Sequence, residues 1–519
     1  MEQVLIDGSW VSANAVDGYQ AINPRLDEAL EREFPVSSWD DCDRALSAAL
    51  RASSRLETTE PEQIANFLVR YANYLSENAA VICQTAAEET ALPLSPRLID
   101  VEMPRTVDQL LQAADCARSE SWRQTTIDHD AGIASCRGSV GPVLIFGPNN
   151  FPLAFNAISG SDFASAIAAG NPVIARGHPS HPGTTKLLAE HAARAASDAG
   201  LPSGTVQLIY GMCPEDGLRM VQDPRTAAIG FTGSRRAGMM LKTAADEVGK
   251  PIYLEMSSVN PVFILPTALN ARGSSIAEAL ASSITMGAGQ FCTCPNLFVL
   301  PAGSDAERFL RSVAAQLTAN PSGSLLSKQV LSHLQESVAA LLTAGAESVC
   351  GGVPMSETVN AFENTLLRVA SDTFCAAAGR LQTEAFGPVS LAVLVSDHSG
   401  WQQIAQRLDG TLTASFYADA PEDDDLYSEI YNLMRRKSGR IINDKMPTGV
   451  TVSPAMNHGG PFPATGHPGF TAVGLPAAIQ RFTKLDCYDN VPTARLPQCI
   501  RHRRDHEPYT ADSSECSEV

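Results

Sequence analysis

Between residues 140 and 265, short apolar runs alternate with longer segments of helical period. The runs are Val143 to Phe146, Pro172 to Ala175, Val206 to Tyr210, Ala227 to Phe231 and Ile252 to Glu255. Strands buried on both faces read as continuous apolar stretches, so this alternation predicts a parallel sheet covered by helices. The helix expected over Thr184 to Ala199 stops before Gly200-Leu-Pro202, a glycine-then-proline ending that closes helices. Ligands of open parallel sheets bind beyond the carboxyl ends of the strands, so functional groups are sought in the loops there. Residues 40 to 120 are helix-rich, with Asp40 or Asp41 as the expected cap and alanine-leucine periodicity through Leu111. They are expected to pack on the sheet. A two-stranded excursion is expected over 121 to 140, a second α/β unit over 256 to 470, and a polar tail after Leu496.

At 519 residues the chain is too long for one ordinary core, and two large domains are expected. A hydrophobic content of 44% with 18% charged residues is that of a globular protein. The net charge of -19 repels phosphate backbones and anionic membranes, so neither nucleic acid nor a membrane is an expected partner. Only Arg501 to Arg504 opposes that field, and acids follow it. The first 20 residues show no basic region followed by an apolar run, and no apolar run reaches spanning length. The twelve cysteines are scattered without a disulfide framework. A reduced, cytoplasmic protein is the expectation. Cys292 and Cys294 form a Cys-x-Cys without a second ligand pair, so no metal is expected.

Four islands carry chemistry. Met286-Gly-Ala-Gly-Gln-Phe-Cys-Thr-Cys-Pro295 sets Cys292 in a small-residue turn after an apolar helix. A helix terminus, oriented amides or a nearby base would raise its thiolate fraction; a buried inert thiol is the ordinary alternative. Phe146-Gly-Pro-Asn-Asn-Phe-Pro152 follows a strand and presents Asn150, an amide able to donate to a developing oxyanion, although alone it is merely a turn. Glu255 ends an apolar strand, where desolvation would raise its pKa and suit it to general-base work; a solvent-facing or arginine-paired glutamate is the alternative. Glu384, in Thr383-Glu-Ala-Phe-Gly-Pro388, offers an acceptor for a sugar but in isolation says little.

In this order the islands resemble the aldehyde dehydrogenase superfamily, over roughly residues 4 to 496. The likeness includes Phe231-Thr-Gly-Ser234, Asn443 to Gly449 and His458-Gly-Gly-Pro-Phe-Pro-Ala-Thr465. The last of these, with Ser258-Val-Asn-Pro-Val-Phe263 and Gly287 to Cys292, looks most like the 2,5-dioxovalerate (α-ketoglutarate semialdehyde) dehydrogenase branch. The resemblance implies an α/β fold with a Rossmann-type cofactor domain (1–120 and 141–255) and an α/β catalytic domain (256–470). It also implies oligomerisation strands (121–140 and 485–497) in a homodimer or homotetramer; the polar composition beyond them predicts a disordered tail (498–519).

It further implies that Cys292 attacks the aldehyde, that Asn150 and the Cys292 amide hold the oxyanion, and that Glu255 activates the water that hydrolyses a thioester. The cofactor would meet Arg176, Pro179, Gly230, Gly233, Ser234, Arg236, Glu384 and Phe386, with Glu384 on the nicotinamide ribose. Arg176 stands where the family generally has lysine, and Pro179 where NAD-preferring members often carry a glutamate. Guanidinium suits a phosphate, and no carboxylate at 179 repels one, so NADP is the expected cofactor with NAD possible. The expected substrate is a small semialdehyde such as 2,5-dioxovalerate. An aliphatic aldehyde, a cofactor-free esterase reaction and a non-catalytic relative with a drifted cofactor site are the alternatives. Cys294 reads as packing, with a silencing disulfide to Cys292 as the alternative, at the cost of a strained ring.

Overall fold

The computed structural model describes residues 1–501. The apolar runs form the parallel heart of a seven-stranded sheet, with strands at Val143–Phe146, Val173–Arg176, Val206–Ile209, Ala228–Thr232 and Ile252–Glu255. In space the order is Ile252–Glu255, Ala228–Thr232, Val143–Phe146, Val173–Arg176, Val206–Ile209, all parallel. Chain order reverses on either side of Val143–Phe146, which opens a crevice beyond Phe146 and Thr232. The antiparallel hairpin Val4–Ile6 and Ser9–Val11 closes the other edge. Helices Trp39–Leu56, Pro61–Glu77, Met103–Ser119 and Pro182–Asp198 turn buried alanine and leucine faces toward this core.

Neither Asp40 nor Asp41 caps the first helix. It begins after Ser38, and both acids lie in its first turn. The buried Asp41 instead accepts the Asn14 N–H at 2.9 Å, pinning the preceding hairpin (Ala15–Asn23 with Glu28–Ser37), which the apolar pattern does not reveal.

A second seven-stranded sheet runs Glu347–Cys350, Thr365–Ala370, Val389–Val395, Leu297–Pro301, Val262–Ile264, Thr411–Tyr417, Ser438–Asn443, parallel except for its first pair. The chain passes from one sheet to the other between Glu255 and Val262. Helix Pro266–Thr285 covers the second sheet and ends in a tight turn in which Gly287, Ala288 and Gly289 all have positive φ. A Cβ on Gly289 would stand 2.0 Å from the Gly387 carbonyl oxygen, so only glycine lets the Cys292 turn dock on the Thr383–Pro388 island.

The third unit is antiparallel: Thr126–Asp128, Ile133–Ser139 and Thr483–Asp489. Its last strand starts earlier than the expected 485 and ends at Asp489, because residues after Pro492 turn into a short 3-10 segment. The chain does not become a tail at 498 either. Leu496 and Ile500 are buried against Ala134 and Cys136, an apolar pair too closely spaced to register as a pattern. Residues 502–519, with Cys516, lie outside the described residues. Among the described residues no helix is long and apolar enough to cross a membrane.

Candidate active site

The last strand of the first sheet delivers Glu255 to the crevice, and a strand-like bridge to Thr465, with Met256 N–H donating to the Ala464 carbonyl, holds it there. That bridge also brings in His458. Its backbone N–H donates to Thr471 Oγ1 at 2.8 Å, its ring lies 5.8 Å from that of Phe155, and its Nε2 is 2.9 Å from Glu255 Oε1. Cys292 Sγ faces the same nitrogen at 3.6 Å. The reacting atoms of Glu255, Cys292 and His458 all lie within 4.8 Å of one another. Such a carboxylate, thiol and imidazole set is also one that zinc accepts; no metal enters the function proposed below.

The electrostatics correct two expectations. Helix Pro266–Thr285 ends before the Met286–Gly289 turn and leads into it with its carboxyl end, so it supplies no helix N-terminus to favour a Cys292 thiolate. Burial, and then the charge and hydrogen bond of Glu255, push the Cys292 thiol well above its usual pKa, so it rests protonated. Glu255 departs the other way. Burial does push its pKa up, but the charge and hydrogen bond of His458 and a hydrogen bond from Cys292 outweigh that, leaving the carboxyl below its usual range. It is therefore an ionised base at neutral pH. Its Oε2 has no hydrogen-bond partner among the described residues.

Asn150 is buried and donates one amide hydrogen to the Gln290 carbonyl at 2.9 Å, which ties it to the Cys292 turn. An amide nitrogen carries two hydrogens, so one donor remains. The Cys292 backbone N–H also has no protein acceptor among the described residues. Two supports behind these donors were not recognised from the sequence. Asn260 Nδ2 donates to the Cys292 carbonyl at 2.8 Å and the Cys294 carbonyl at 3.0 Å, fixing the turn. Glu102 accepts from Arg97 and from the Leu153 and Ala154 N–H groups at 2.9 Å, while Arg97 reaches the Asn150 carbonyl at 3.1 Å. Cys294 is buried among Phe151, Phe155, Phe291 and Val473.

Glu384 accepts the Ser258 N–H at 3.3 Å, and burial lifts its pKa to about 7 against the hydrogen bonds of Ser257 and Ser258. Phe386, beside it, packs on the first core. Arg176 ends its strand opposite Phe146, and its guanidinium has no hydrogen-bond partner among the described residues; burial pulls its pKa down. Across Phe146, Gly233 donates its N–H to the Glu255 carbonyl, and Ser234 caps helix Arg235–Glu247. Pro179 and Arg236 are exposed. Gly230 is not at the crevice: it is buried in mid-strand, where a Cβ would meet Asp162 Oδ2 at 2.7 Å, and so serves close helix packing. A helix N-terminus, a half-buried guanidinium unpaired among the described residues and a buried acceptor at one sheet edge fit a dinucleotide.

His458 is the residue that sequence reasoning missed. Its motif is conspicuous, but no local signal distinguishes a working histidine from a packed one, and its partners stand 203 and 166 positions away.

The model of the aldehyde dehydrogenase family matches residues 10–451. The alpha-ketoglutaric semialdehyde dehydrogenase of Acinetobacter baylyi is 34% identical over 507 residues, covering 96% of this chain and 95% of the relative. The alpha-ketoglutaric semialdehyde dehydrogenase 2 of Azospirillum brasilense is also 34% identical, over 96% of each chain. Among solved structures, aldehyde dehydrogenase C of Pseudomonas syringae, in complex with NAD+ and octanal, superposes with a TM-score of 0.80 at 21% identity, covering 95% of this chain and 98% of that one.

Proposed function

The chain belongs to the aldehyde dehydrogenase family, an NAD(P)-dependent oxidoreductase, and we propose that it converts a small semialdehyde such as 2,5-dioxovalerate to its acid with NADP. The Glu255, His458 and Cys292 cluster carries the chemistry, and the two 34% relatives support the substrate. Cys292 attacks the aldehyde carbon and passes its proton to the Glu255–His458 pair. The free Asn150 amide hydrogen and the Cys292 N–H hold the oxyanion of the thiohemiacetal, a contribution of roughly 3 to 4 kcal/mol for such a donor. When bound, the nicotinamide supplies the acceptor for the hydride whose departure leaves a thioester. After that first proton has passed on to solvent, Glu255 takes a proton from water as the hydroxide adds to the acyl carbon, and collapse expels the Cys292 thiolate, which recovers a proton from Glu255 as the acid is released.

Arg176 would meet the 2'-phosphate, the Ser234 helix start the pyrophosphate, and Glu384 the nicotinamide ribose. The test is reduced-nicotinamide formation from 2,5-dioxovalerate and from hexanal, each with NADP and NAD, alongside calorimetric binding of both cofactors. NADP is expected to bind more tightly, and Arg176→Gln to weaken NADP about 10- to 100-fold, as for a lost hydrogen bond to a charged group, while NAD changes little. Tighter NAD binding by the unaltered protein would refute the NADP preference.

A homodimer or homotetramer is proposed through the third sheet. Thr483–Asp489 is an edge strand of that sheet, and its Leu485 is 65% exposed; such an edge ordinarily needs covering. Light scattering after size exclusion is expected to return two or four chains, and a monomer would contradict this. The cytoplasm is the proposed compartment.

A further inference from the structure

Helix Met103–Ser119 presents Arg105 in its first turn, after Pro104, and this cation is unlike the others around the site. Its guanidinium carbon lies 4.9 Å from the centre of the Phe155 ring and 5.7 Å from that of Phe151. Its Nε and Nη2 are buried without a hydrogen-bond partner, and no carboxylate or carbonyl takes a hydrogen bond from it among the described residues. Burial pulls its pKa down, and the carboxylates of Glu102 and Glu255 and the Cys292 sulfur are near enough to act on it.

Neighbouring charged groups are already engaged. Arg97 gives its two Nη groups to Glu102 and the Asn150 carbonyl, leaving only its Nε without a partner among the described residues. Glu102 is taken up by Arg97 and two backbone N–H groups. Arg440, the other cation whose charge reaches Cys292, gives its Nη groups to the Pro447 and Gly449 carbonyls. A buried cation with idle donors is costly unless an anion completes it. Phe151 bridges the two halves of the site, since its ring meets that of Phe291, next to Cys292, at 5.3 Å. An aliphatic chain lying on those rings would connect the sulfur to the guanidinium.

We propose that Arg105 receives the distal carboxylate of an oxo-acid semialdehyde whose aldehyde carbon meets Cys292. This rests on the aldehyde dehydrogenase reading above and assigns the group that selects among its substrates. Guanidinium offers a planar pair of donors to a carboxylate, and a site built to hydrogen-bond a group discriminates strongly against the analogue lacking it.

The test compares 2,5-dioxovalerate and glutarate semialdehyde with pentanal, in the unaltered enzyme, Arg105→Leu and Arg105→Lys. It adds inhibition by 2-oxoglutarate, the acid that 2,5-dioxovalerate yields. In Arg105→Leu the preference for the carboxylate-bearing substrates, as a ratio of kcat/KM to that for pentanal, is expected to fall on the order of 100-fold, chiefly through KM, with 2-oxoglutarate inhibition weakened in parallel. Arg105→Lys is expected to recover part of it. An equal loss on all three aldehydes would make Arg105 structural, and an unchanged ratio would show that it does not touch substrate; either overturns the proposal. Turnover of glutarate semialdehyde but not 2,5-dioxovalerate, still dependent on Arg105, would uphold the carboxylate role while refuting the named substrate. An unaltered enzyme that oxidises only pentanal would refute both.

Discussion

Replacing Cys292 with alanine is expected to stop reduced-nicotinamide formation with every aldehyde, a loss on the order of 10^5-fold or more, as when a covalent nucleophile is removed. Among the described residues no second sulfur joins the Glu255 and His458 cluster. Cys294, the closest in sequence, is buried among phenylalanines, and its carbonyl rather than its thiol is held by Asn260. The variant should keep its cofactor affinity, because Arg176, Ser234 and Glu384 lie on other segments. Calorimetry on the same sample therefore separates a missing nucleophile from a misfolded chain. Residual turnover within about 100-fold of the unaltered enzyme would place the nucleophile elsewhere, since that is the scale of a lost supporting donor rather than of the attacking atom.

Glu255→Gln is expected to lower steady-state turnover by roughly 10^2 to 10^4, the range of general-base contributions. Glutamine keeps the shape but cannot take a proton from water, so the thioester should accumulate after one rapid turnover. A burst of reduced nicotinamide followed by a slow phase is the expected trace, and a uniform slowing without a burst would argue against a hydrolytic role. Alkylation of Cys292 offers an independent reading. In the unaltered protein Glu255 holds the thiol pKa up by charge and hydrogen bond, beyond what burial does. Removing the negative charge favours the thiolate, so the alkylation profile of Glu255→Gln should move to lower pH. A shift to higher pH would mean that Glu255 deprotonates the thiol more than it opposes its charge. In the unaltered protein Glu255 sits below its usual range, so acid should silence it only under conditions more acidic than a free glutamate requires.

Much of the fold could be read before any coordinates. The apolar runs of the first unit coincide with its parallel strands to within a residue or so, because a strand buried on both faces reads as a nearly continuous apolar stretch, the buried Gln207 being satisfied by the Asp7 N–H and the Ala45 carbonyl. Elements with a different rule were missed. The Ala15–Asn23 and Glu28–Ser37 hairpin is largely exposed and lacks an apolar run. Asp41 carries an ordinary cap signal but is diverted to Asn14, a contact no helix rule contains. Ile500 continues the buried core past the point where composition turns polar.

The site divides along the same line. Cys292, Glu255, Asn150 and Glu384 each sit at the end of a strand or in a glycine turn, positions that periodicity and turn chemistry locate, and the resemblance attached roles to them. Sequence determined, by itself, the layered fold, the crevice edge and those four side chains, because each depends on residues close in the chain. Only the tertiary structure decided that His458 lies between Glu255 and Cys292, that Arg105 is left without an acceptor among the described residues while the Nη groups of Arg97 and Arg440 are engaged, and that Glu255 is pulled below its usual pKa while Cys292 is driven above its own. Those outcomes depend on how much water is removed and which charges meet across the packed interface of two sheets, and chain position encodes neither.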